Sequence, residues 1–353
     1  MDLSSTPDPA LAGAYNLPGG RVPVIAGKRH WPWDDEVAQQ RLEHLARLLG
    51  ITLSGNESRL AGASNDTWLI GGKVLRVCWR GDLDRMRREA ELAAALPPET
   101  GCPRPIEVGR DERFSWMLVP RVRGATLSEI WPTTPQPLLR DYVAQLANLL
   151  DTIHAWQPPE HIRAMITAAA PTETDDALAI TGKQLIPSTL WQQLRLVDYA
   201  RSLPFADAGL LAAIADRLIE LDSRQASEPA AEPRFLHCDA TPGNVLVHEG
   251  RITALLDYEW ACFGPLDLEP VLPMFWVRCQ PADARAGRLI DWLRVDCPAL
   301  FAAPDLAERH WRSLAAFALR CLVHWPPSTP EQQLEPDHPL LLLRELAGAR
   351  LPR

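Results

Sequence analysis

The chain lacks most of what would mark it as secreted, membrane-bound or metal-templated. No stretch approaches the roughly 18 consecutive apolar residues of a membrane span. The opening "MDLSSTPDPALAGAY" has neither a basic n-region nor an apolar h-region, so no secretory signal is expected. Seven cysteines are scattered with no C-x-x-C pair, and nine histidines show no metal-ligand spacing. That pattern fits free thiols in a reducing compartment and gives no sign of a zinc site. Basic charge is also short: the formal net charge is −9. A general nucleic-acid binder would need a basic surface. There is no internal repeat, and no low-complexity tract beyond Ala-rich helices. The expectation is a soluble, cytoplasmic protein, monomer or homodimer, with no membrane or nucleic-acid partner.

What is present is an ordinary globular composition, 46% hydrophobic and 23% charged, in 353 residues. That length allows two units, each with its own core. Residues 1–33 are rich in Pro and Gly with little periodicity and read as a loosely ordered extension. "WDDEVAQQRLEHLARLLG" reads as a helix, with Val37, Leu42, Leu45, Leu48 and Leu49 as its apolar stripe. Asp34 would be its N-cap and Gly50 its stop.

The period then shortens. Strands are expected at Glu57–Ala61, Thr67–Ile70 and Lys73–Cys78, then a helix over 84–96 ended by Pro97 and Pro98, then two more strands around a turn at 109–112. Residues 34–120 thus form a small nucleotide-binding lobe of β-sheet with one helix. Residues 121–353 are mostly helical, with Leu139, Val143, Leu146, Leu150 and Ile153 at helical spacing. The fold class is α+β.

One segment of that larger lobe asks for a chemical explanation. "FLHCDATPGNVLV" sets His237, Asp239 and Asn244 in a Pro- and Gly-rich turn between apolar runs, and the hairpin "VLVHEGRITALLD" then ends on Asp257. Asp and Asn favour turns on their own account. The spacing, however, matches the kinase catalytic loop H-R-D-x-x-x-x-N with its later metal-binding Asp. Phosphoryl transfer needs one carboxylate to accept the attacking hydroxyl's proton. It also needs an amide oxygen and a second carboxylate on Mg²⁺. Asp239, Asn244 and Asp257 fit those roles in turn, and His237 fits a loop-fixing one. A cation on a central strand, held by a helix carboxylate, should meet the phosphates; Arg76 and Glu89 fit that pair.

These motifs resemble the aminoglycoside phosphotransferase and choline kinase-like family, with its protein-kinase-like two-lobed fold. The resemblance runs from about Ser58 to Pro270 and is densest in "HCDATPGNVLV" and "LLDYEWACFGPLDLE". It implies that "GASND", with Gly62, Ser64 and Asn65, covers the phosphates. It also implies that Asp267 supports the catalytic loop and that the acceptor site lies in the C-terminal part, where Trp276, Trp292 and Trp325 could wall a pocket. Glu259 could touch metal or substrate, or cap a turn. Three positions depart from the family's habit: Cys238 replaces a usual Gly, Arg76 the phosphate-binding Lys, and Tyr258 the usual Trp or Phe. Arg keeps the charge and can bind phosphate bidentately.

The implied activity is transfer of the γ-phosphate of ATP or GTP to a hydroxyl of an antibiotic, an aminoglycoside or another natural product, giving resistance by inactivation. A metabolite kinase for choline, a sugar or an amino alcohol is the alternative, and a non-catalytic nucleotide-binding regulator a further one. A protein kinase is disfavoured because no activation segment or A-P-E motif follows D-Y-E.

Overall fold

The first sheet is covered by a helix on each face, and its strand Ser115–Pro120 is buried along nearly its whole length. The computed structural model describes residues 24–25, 28–29, 35–60, 65–78, 82–111, 114–203, 206–225, 232–280, 283–324 and 338–348. The chain divides into two compact units, Met1–Ala94 with Pro103–Arg121, and Ala95–Cys102 with Val122–Arg353. In the first, β1 (Ser58–Leu60), β2 (Asp66–Ile70), β3 (Lys73–Cys78), β4 (Glu107–Arg110) and β5 (Ser115–Pro120) form an antiparallel sheet in the order β1-β2-β3-β5-β4. Helix α1 (Asp35–Leu48) lays Ala38, Leu42 and Leu45 on Trp68, Leu75, Val77 and Trp116. Helix α2 (Arg85–Ala95) covers the other face, with Met86 and Ala90 against Cys78, Met117 and Val119. Strand side chains alternate, so Arg76, between Leu75 and Val77, must point toward α2.

Expected elements shift at their ends: the strand expected at Thr67–Ile70 begins at Asp66, the helix over 84–96 is Arg85–Ala95, and the turn expected at 109–112 follows Arg110. Gly50 closes α1 with φ 62°, as its stop role requires. Leu48, assigned to the apolar stripe, is 56% exposed, because the helix ends there. Asp34 lies outside the described residues, as does most of the stretch 1–33.

The second unit opens with β6 (Ala125–Thr126) and α3 (Leu127–Ile130), whose start is fixed by a capping box between Thr126 and Glu129. The long α4 (Gln136–Ala155) buries Leu139, Val143, Leu146, Leu150 and Ile153 on one face. The proline-rich segment after it is two short helices, α5 (Glu160–Ala168) and α6 (Ala177–Lys183). Pro159 stands at the first helix's N-cap, and the Asp176 side chain caps the second by accepting from Ala179 N. Helices α7 (Leu190–Arg201), α8 (Ala208–Gln225), α11 (Leu306–His324) and α12 (Pro339–Gly348) share one core that includes Leu211, Leu218, Leu319 and Leu343. Between them in sequence lie α9 (Val271–Arg278) and α10 (Arg288–Asp296).

Two short strand pairs carry the loops of interest. β7 (Arg234–Leu236) pairs antiparallel with β10 (Cys262–Gly264), and β8 (Val245–His248) with β9 (Arg251–Leu255). The β8–β9 turn is Glu249-Gly250 with φ 48° and 79°. Two successive positive φ angles are what a two-residue hairpin turn of the I′ kind demands.

Candidate active site

Pairing of these strands gathers the loop residues. Leu236 lies opposite Cys262, so the chain leaving β7 and the chain entering β10 run side by side. The hairpin then joins its own two ends: Leu256 N donates to Asn244 O at 2.8 Å. Asn244, just before β8, and Asp257, just after β9, therefore sit at the same end of one ladder. Asn244 Nδ2 donates to Asp239 O at 2.8 Å, which orients the amide.

The loop itself is held by buried groups. His237 is fully buried. Its Nδ1 accepts from Asp239 N at 3.1 Å, which makes Nε2 the protonated nitrogen, donating to Leu256 O at 2.9 Å. Burial pushes its pKa down, so the ring stays neutral and acts as a brace. Glu269, with no exposed surface, accepts from His237 N at 2.9 Å, Cys238 N at 3.1 Å and His154 Nε2 at 3.2 Å. Burial alone would raise this carboxyl, but the bonds from His154 and His237 outweigh it and hold it below the usual range. Asp267, expected in this supporting role, is buried beside Arg309 instead, and its carboxyl is pushed up chiefly by burial. The correction is physical: the turn Leu266–Leu268 brings the second acid, not the first, under the loop.

Asp239 is strongly perturbed. Burial and then the charges of Asp257 and Glu259 raise its carboxyl well above the usual range, against a lowering contribution from Asn244 and Arg320. Arg320 is itself buried, donates to the carbonyls of Gln184 and Thr181 at 3.1 Å, and lies 4.5 Å over the Trp260 ring. No sequence motif marks it; it comes from α11, over sixty residues away. Cys238 and Asp257 adopt left-handed φ of 64° and 65°, sparsely populated conformations for residues with a Cβ. Crowded hard-oxygen donors with a raised carboxyl pKa suit a divalent cation such as Mg²⁺, which would neutralise the repulsion.

In the first unit, Arg76 pairs with Glu89, and Glu89 is buried in the α2 face. Asn65 is buried at the start of β2, next to Asp66, which accepts from Arg41 Nε at 2.7 Å and from an Arg59 terminal nitrogen at 3.0 Å. Gly62 and Ser64 lie outside the described residues. Trp276 packs edge-on against the buried Trp131 at 5.2 Å, Trp292 is half-buried on α10, and Trp325 lies outside the described residues.

This arrangement of sheet unit, helical unit and H-x-D-x-x-x-x-N loop is the α+β, protein-kinase-like fold of small-molecule kinases. The family model described as "Phosphotransferase enzyme family" matches residues 57–317, and the chain belongs to that family. It is a phosphotransferase with an alcohol group as acceptor. Among solved structures, the chain is similar to a thermostable mutant of aminoglycoside phosphotransferase APH(4)-Ia in ternary complex with AMP-PNP and hygromycin B. The two share 19% identity over 86% of this chain and 97% of that one, with a TM-score of 0.60. It is also similar to ADP-bound APH(2″)-Ib, at 15% identity over 88% and 96% with a TM-score of 0.54. A streptomycin–ATP complex of APH(2″)-IIa gives 16% identity over 88% and 96% with the same score. No curated protein matches the sequence. Among the described residues, no helix is long and apolar enough to cross a membrane.

Proposed function

We propose that this kinase moves the γ-phosphate of ATP or GTP to a hydroxyl of an antibiotic, with Asp239 as the base. The supporting observation is the loop: Asp239, Asn244 and Asp257 are drawn together by two strand pairs and braced by buried Glu269 and His237. Asp239 accepts the proton as the hydroxyl attacks, and its raised pKa suits a base working near neutral pH. Asn244 Oδ1 and the Asp257 carboxylate are the groups that would hold Mg²⁺, with Glu259 beside them. When bound, the ion supplies charge neutralisation for the phosphates. In the sheet unit, Arg76 takes the phosphate-binding role, its guanidinium oriented by Glu89.

The antibiotic acceptor draws support from the aminoglycosides in the ternary complexes of the structural neighbours. The acidic net charge also favours a cationic acceptor. The test is ADP release with Mg²⁺-ATP and Mg²⁺-GTP against aminoglycosides, other antibiotics, choline and sugars. Release with choline or a sugar alone would replace the antibiotic reading by a metabolite one.

A further inference from the structure

The residue that precedes the proposed base is one half of a thiol pair. Cys238 Sγ and Cys262 Sγ lie 3.2 Å apart, and both cysteines are free thiols. The pair is built by the fold: β7 runs straight into Cys238, and Cys262 begins its partner strand β10. Leu236, Trp260, Leu268 and Phe317 belong to the same apolar cluster as Cys238, and Cys262 packs against it. Cys238 is 3% exposed, whereas Cys262 keeps part of its surface. Cys262 is thus the member of the pair that a small oxidant would meet first, with the second sulfur beside it.

We propose that Cys238 and Cys262 form a site of reversible oxidative modification, in which a hydroperoxide converts the dithiol to a disulfide and disturbs the catalytic loop. The consequence for turnover rests on Asp239 being the base. In the chemistry, the Cys262 sulfur attacks one peroxide oxygen, the O–O bond breaks, and water leaves from hydrogen peroxide. The resulting sulfenic acid is then attacked by the Cys238 sulfur. The S–S bond forms, the S–O bond breaks, and a second water departs with the remaining thiol proton. Two thiols are oxidised and one peroxide is reduced.

Geometry links this to the loop. The sulfurs must close from 3.2 Å to about 2.05 Å, a movement of about 1 Å shared between a β-strand and a loop residue already in the left-handed region. Cys238 N is one of the donors to Glu269, and Asp239 is the next residue. A shift of that size beside a reacting group costs on the order of 10² in rate.

The experiment exposes the full chain to hydrogen peroxide, alkylates the remaining thiols and maps tryptic peptides. Residues 235–251 and 252–278 fall in separate peptides with one cysteine each. The expected result is a cross-link between those two peptides. Amide exchange of the 237–238 segment should rise at least tenfold, and ADP release from Mg²⁺-ATP should fall at least tenfold. Dithiothreitol should reverse all three. Cys262→Ser should keep the starting rate and show none of the changes. Persistence of both alkylatable thiols after peroxide, or a cross-link that leaves loop exchange unchanged, overturns the proposal. Absence of ADP release from the reduced protein would count against the kinase reading, while cross-link and exchange still decide this one.

Discussion

Replacing Glu269 by Gln should release the catalytic loop from its anchor. The carboxylate accepts three bonds, from His237 N, Cys238 N and His154 Nε2, in a fully buried position. Gln keeps one acceptor oxygen but turns an NH₂ toward groups that are already donors, so at least one charge-assisted bond is lost and two donors face each other. Such a bond contributes about 1.5–3 kcal/mol, and a buried donor left unpaired costs about 1–3 kcal/mol more. A loss of about 2.5–6 kcal/mol is expected, which at about 2–4 °C per kcal/mol for a unit of this size lowers Tm by roughly 5–24 °C. The sign with pH follows from the depressed carboxyl. Its stabilisation is present above the ordinary carboxylate range and is lost as pH falls through the lowered pKa. Wild type should therefore lose its margin over the variant in acid. Calorimetry across pH 3–8, a range of about five units chosen to span carboxylate titration, measures both. A variant melting within about 2 °C of wild type at neutral pH would refute the anchor.

Asp239→Asn should cut kcat by roughly 10² to 10⁴, the scale for losing a positioned base. It should also melt higher at neutral pH, because a raised carboxyl stabilises the fold only while protonated and loses that contribution as pH rises through its pKa; a lower Tm would remove the electrostatic part of the argument. Asn244→Ala and Asp257→Ala should weaken Mg²⁺-dependent nucleotide binding, and calorimetric titration with and without Mg²⁺ that shows wild-type affinity would end their metal assignment. Arg76→Ala should raise the nucleotide KM, with Glu89→Ala a milder copy and the double variant non-additive in kcat/KM. Strict additivity would reduce the pair to packing.

Much of this site could be read from the chain because its parts are local. The sheet strands are short apolar runs between Gly- and Asn-rich turns, the hairpin has its Glu-Gly turn, and Asp239, Asn244 and Asp257 sit within twenty residues of one another. Their spacing survives folding because two short ladders fix it. What could not be read depends on distant packing. In "GPLDLEP" two acids compete for the loop, and only the sense of the short Leu266–Leu268 turn selects Glu269 over Asp267. Arg320 enters from a helix whose sequence looks like any amphipathic stretch. The prolines at 158, 159, 171 and 187 hide the local pattern, because Pro159 stands at the N-cap of a helix and Pro187 O accepts from Gln193 Nε2.

The central claim is phosphoryl transfer to a small-molecule hydroxyl by Asp239, and mass spectrometry of the acceptor tests it most directly. Wild type and Asp239→Asn, each first shown to bind nucleotide, are incubated with Mg²⁺-ATP or Mg²⁺-GTP and the antibiotic and metabolite panel. The account predicts one acceptor gaining the mass of a single phosphoryl group in step with nucleoside diphosphate, and a product rate at least a hundredfold lower in the variant. Nucleotide binding with no phosphorylated product in any reaction, or equal product from wild type and Asp239→Asn, would contradict it.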